Sequence, residues 1–127
     1  MTIGYAAAGE LLDAWISARA SHDGDAFAAL FDADATLSVD PWATLRAGHN
    51  DLRAYLLAAA ATERDLELVV ERHWVSGDTV LASWHAVWTS PDAVVVRQAG
   101  FLTAEVGSSG RIARLRLWIV TRNVRTV

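Results

Sequence analysis

The chain has 127 residues, with 11 Lys+Arg against 15 Asp+Glu, a net charge of -4 and no cysteine. That length fits a single domain over residues 1–127 with one core and one pocket. An acidic balance with scattered arginines argues against a nucleic acid or an anionic membrane as partner, and the lack of cysteine excludes disulfides, a thiolate nucleophile and thiolate metal sites.

The opening MTIGYAAAGELLDAW lacks a basic leader followed by an unbroken apolar run, and no later stretch approaches the roughly 18 apolar residues of a membrane span. The expected location is therefore the cytoplasm. Over residues 8–19, Ala8, Leu11, Leu12, Trp15 and Ile16 recur at helical spacing and predict a first helix with one broad apolar face. SHDGD ends it, and Asp25 is expected to cap a short second helix with Phe27, Leu30 and Phe31 on one side. DATLSVDP, residues 34–41, then alternates like a strand and stops at Pro41. In GHNDLRAYLLAAAA, Asn50 is expected to cap a third helix whose buried stripe is Leu52, Tyr55, Leu56 and Ala59.

From there the period changes. Segments 66–75, 79–89, 94–106 and 111–122 are rich in β-branched and aromatic residues, and SGD, SPDA and GSSG between them are turn signals. Helices first and a meander afterwards predict an α+β fold: three N-terminal helices packed on a strongly curved, mostly antiparallel sheet. Strands of this length bend around the helices and are expected to form a cone with one internal cavity.

HDGDAFAALFDADATLSVDP, RAGHNDLRAYL and GSSGRIARLRLW, set in this order of elements, resemble the nuclear transport factor 2-like superfamily. Within it the resemblance is to the SnoaL-like polyketide cyclases and ketosteroid isomerases, and it covers nearly the whole chain. That implies a small, cofactor-free protein that takes an apolar small molecule into its cone. The implied activity is acid–base catalysis: isomerisation, cyclisation or dehydration of a polyketide-, terpene- or steroid-like substrate. DATLSVDP is similar to the isomerase stretch whose residue before proline is the general base, so the resemblance implies that Asp40 faces inward and shuttles a proton. The residues themselves also allow Asp40 to cap the turn at Pro41.

The implied ligand-binding set is Trp15, Phe31, Trp42, Tyr55, Trp84, Trp88, Gln98, Leu115, Leu117 and Ile119. Trp84 and Trp88 share a strand face with Val80, Ala82 and Ala86, which leaves room between two indoles for a flat ligand. Gln98 and Tyr55 are candidate hydrogen-bond donors. The isomerases' oxyanion donors are missing: helix one offers Trp15 or Ser17, and the strand offers 100–102. The last strand is apolar at 117–119, where the cyclases and epoxide hydrolases keep an acid. His22 beside Asp23 resembles a dehydratase pair on a linker expected to be exposed. His73 and His85 are expected to be exposed or at an interface, and no histidine spacing suggests a metal. Arg114, Arg116, Trp118 and Arg122 should decorate the outer sheet face, which is expected to form a homodimer. Two rival roles remain open: a non-catalytic ligand-binding or accessory module, and a protein-interaction module using that outer face.

Overall fold

The computed structural model describes residues 2–125. Helix α1 (Tyr5–Ser21) buries Ala8, Leu12, Trp15, Ala18 and Arg19 at the spacing of one helical face. It ends at His22, which takes the left-handed conformation (φ 53°, ψ 38°) and turns its N–H back on the last carbonyls. Asp23 caps α2 (Gly24–Ala29), its carboxylate accepting the Ala26 N–H at 3.0 Å. The cap is thus two residues earlier than expected. Asp23 has the extended backbone that an N-cap needs, whereas Asp25 already lies in the first turn.

Phe31, expected on the second helix, instead opens strand β1 (Phe31–Ser38) and is fully buried. A two-residue strand β2 (Arg46–Ala47) pairs antiparallel with β1; no sequence pattern marks so short an element. Gly48, with φ 82°, precedes α3 (His49–Ala60) in place of Asn50, because this entry to the helix needs a positive φ that glycine adopts freely. Helix α3 buries Leu52 and Leu56.

Strands β3 (Arg64–Ser76), β4 (Thr79–Thr89), β5 (Val94–Val106) and β6 (Ile112–Arg125) follow as an antiparallel meander. The sheet order is β2-β1-β6-β5-β4-β3, with β1 parallel to β6 and the other pairs antiparallel. The three helices pack on this curved, unclosed sheet. Register fixes which residues face them. Trp84 lies opposite Gly100, and Gly100 opposite Ile119. Val80, Ala82, Trp84, Ala86, Leu102, Ala104, Leu115 and Leu117 form the buried, helix-facing side. The alternate positions, among them His85, Val87, Phe101, Trp118 and Val120, form the outer side.

Candidate functional site

The expected proton shuttle lies outside the core. Leu37 is fully buried and Val39 packs partly buried against the core, so alternation along the strand turns Asp40 the other way, where it is exposed. Its carboxylate accepts the Trp42 N–H at 2.7 Å, and its carbonyl accepts the Ser38 hydroxyl at 2.8 Å. This is the turn-capping arrangement, and the inward placement is overturned by one residue of register. Trp42 is 94% exposed and walls no interior space. An apolar hollow of about 560 Å³ does border Asp40, but Phe101, Trp118 and Val120 line it from the outer side of the sheet.

The helix-facing tryptophans fill the interior instead of framing a slot. Trp15 and Trp84 are buried and meet edge to face, with ring centroids 6.0 Å apart. The Trp84 indole occupies the space over Gly100: a Cβ there would fall 2.4 Å from the ring. Leu115 and Leu117 pack into the same core, while Trp88 and Ile119 are only partly buried. Gln98 donates its amide to the Thr121 hydroxyl at 3.3 Å. The space over Gly100 is thus taken by the Trp84 indole.

Charged groups other than the expected Asp40 lie on the helix side. The Arg19 guanidinium donates to both carboxylate oxygens of Glu63 at 3.1 and 3.3 Å, and His22 Nε2 lies 3.0 Å from Glu63 Oε1. The Arg19 and Glu63 side chains are 9% and 7% exposed, and that of His22 is 17%. The left-handed turn at His22 brings an expected linker residue into this cluster. Tyr55 adjoins it, with the Arg19 and Arg46 guanidiniums 5.9 and 5.8 Å from its ring centroid. Burial pushes the Tyr55 phenol above its ordinary pKa; Arg19 and Arg46 oppose this and Glu63 adds to it. The phenol is a neutral donor at neutral pH. Burial works against the Arg19 cation, but Tyr55 and Glu63 outweigh it, so its pKa is raised and the charge is permanent.

When the His22 ring is neutral, a carboxylate facing Nε2 selects the Nε2–H tautomer, in which the lone pair is on Nδ1. Arg19 pairs with the same carboxylate, so with a neutral imidazole the cluster has no net charge, and it carries one positive charge once the ring takes a proton. Arg19 was legible in principle, since a charge four residues after Trp15 sits on the apolar stripe of the first helix. Glu63, in a turn, carries no such signal. Of the other histidines, His73 Nε2 lies 3.1 Å from the Tyr5 carbonyl and its ring stacks on Tyr5, and the exposed His85 approaches Glu71 at 3.6 Å. Among the described residues no group of three or more His, Asp or Glu could hold a metal ion.

The fold recurs in solved structures of low sequence identity. The epoxide hydrolase/cyclase-like enzyme SalBIII, from pyran ring formation in the polyether salinomycin, superposes with a TM-score of 0.78 at 18% identity, covering 89% of this chain and 90% of that one. A protein of ketosteroid isomerase-like fold from Catenulispora acidiphila, solved with trimethylamine, gives 0.79 at 15% identity over 86% and 84%. A computationally designed 17-OHP binder gives 0.77 at 20% identity over 92% and 98%. No curated protein matches the chain by sequence. The SnoaL-like domain pattern matches residues 12–115, and the chain belongs to the SnoaL-like family.

Proposed function

We propose that the protein is a cofactor-independent acid–base catalyst that removes a proton next to a carbonyl of a small, largely apolar substrate. Isomerisation, aldol-type cyclisation and dehydration of a hydroxyketone all share that step, and polyketide-, terpene- and steroid-like ketones carry such protons. The observation that supports it is the Arg19–Glu63–His22 cluster beside Tyr55. Buried charges are costly, and a histidine held by a carboxylate next to an apolar interior is an arrangement suited to general-base catalysis.

In this reading His22 Nδ1 takes the proton, Glu63 steadies the resulting imidazolium, and Arg19 holds Glu63 in place. The neutral Tyr55 hydroxyl donates a hydrogen bond to the substrate oxygen as it gains negative charge. Asp40 keeps the turn and not the chemistry. Proton exchange measures the step without knowledge of the product. Incubating a panel of such ketones with the protein in D2O, and reading deuterium incorporation by mass spectrometry, should give exchange that His22→Gln abolishes. Exchange that survives in His22→Gln overturns the assignment.

A second reading, a ligand-binding module without turnover, is favoured by the way Trp15 and Trp84 fill the interior. It predicts that a ketone of the panel binds saturably and exchanges no proton.

A further inference from the structure

The outer side of the sheet carries a second polar cluster, unrelated to the helix-side residues. Register places Arg116 beside Thr103 and Ser38, and Arg114 beside Glu105 and Thr36. Thr103 Oγ1, Glu105 Oε2 and Arg116 Nε are all buried and lack a hydrogen-bond partner. Glu105 Oε2 still has an ion-pair partner, whereas a buried polar atom left unpaired is costly, so Arg116 Nε marks a place where a bond remains to be made. Arg114 approaches Glu105 at 3.5 Å, whereas Arg116 takes part in no ion pair among the described residues and rests 5.6 Å from the Trp118 ring centroid.

Arg114 and Arg116 border a groove of about 600 Å³ between β1, β6 and the loop after β1, with Thr103 and Glu105 beside them on β5. Its polar side is Thr36, Ser38, Arg114 and Arg116, and its apolar side includes Leu45 and Trp118. The nearby Asp40 carboxylate is already engaged by the Trp42 N–H. Glu105 engages Arg114, which leaves the Arg116 guanidinium without a carboxylate partner among the described residues. Its planar fork matches a carboxylate, and one guanidinium suits a monoanion better than a phosphate dianion.

We infer that this groove binds a small organic carboxylate, with Arg116 gripping the carboxylate and Trp118 and Leu45 covering its apolar body. The site lies on the outer face, so its occupancy is independent of the helix-side catalysis proposed above.

Titrations near neutral pH with 2-naphthoate, 2-naphthylmethanol and inorganic phosphate test it, using calorimetry on the full chain. Naphthoate should bind saturably, the uncharged alcohol about tenfold or more weaker, and phosphate should not compete. Arg116→Met should lose the preference for the acid with an unchanged melting temperature, and Arg116→Lys should recover only part of it. Equal binding of acid and alcohol, an undiminished preference in Arg116→Met, or no saturable binding would each overturn the inference. Competition by phosphate at similar concentration would overturn the carboxylate assignment. Affinity that falls as protein concentration rises would mean that a second copy of the chain fills the groove, and would overturn it too.

Discussion

Gly100 and Asp40 show how single positions decide what the interior can hold. At Gly100 the missing side chain makes room for the Trp84 indole, which lies 2.4 Å from where a Cβ would be. Gly100→Ala must therefore displace Trp84 or the strand, and should destabilise by about 1–3 kcal/mol, measured by denaturant unfolding. At Asp40 the difficulty is parity. The segment DATLSVDP carries both the alternation and the proline, yet alternation alone does not tell which face of the strand meets the helices. Leu37 and Val39 claim that face, and the carboxylate is left for the turn. Asp40→Ala should cost about 1 kcal/mol, the worth of a side-chain cap on backbone N–H, and should leave proton exchange unchanged.

At the scale of elements, α1, α3 and the start of β3 are tied together by charge as well as by apolar contact. Residues of α1 and of the α3–β3 junction meet at Arg19 and Glu63, and Tyr55 projects from α3 beside them. The raised Tyr55 pKa has a consequence for stability. Because the folded state holds this proton more tightly than the unfolded chain, its contribution is complete below the ordinary pKa of 10.0 and is lost as pH rises through the higher folded value. The melting temperature should fall above about pH 10, and Tyr55→Phe should flatten that alkaline fall while leaving the neutral-pH value little changed.

Element types and order were legible because they rest on periodicity: the stripe of Leu12 and Trp15, the β-branched runs and the turn residues between them. The helix caps were misread at Asp25 and Asn50, where several residues of similar capping propensity compete and only backbone conformation chooses. The polar cluster stayed hidden for another reason. Arg19, His22 and Glu63 are up to 44 residues apart, and only the fold brings them together.

For the whole molecule, the outer sheet face away from the Arg116 groove presents apolar side chains to solvent: Val69 and Val120 are 46% and 75% exposed on it. A hollow of about 500 Å³ on the same face mixes Glu67 with Arg97 and Arg122, so the face offers both signs of charge to a second copy. Such a face is suited to a two-fold interface. Light scattering at micromolar concentration should give a dimer, and Val120→Glu should give a monomer with an unchanged fold; a wild-type monomer would reject the interface.

The family and the α+β architecture leave the reaction open, because one fold hosts many chemistries and the activity rests on particular side chains. The most direct measurement is therefore the deuterium-exchange rate on the best ketone of the panel, taken with the melting temperature, for wild type, His22→Gln and Asp40→Ala. Loss of a positioned base typically lowers the rate by about 10² to 10⁴. That loss is expected in His22→Gln, with the wild-type rate retained in Asp40→Ala. A His22→Gln rate near wild type, with exchange lost in Asp40→Ala at an unchanged melting temperature, would contradict the account and return the proton shuttle to Asp40.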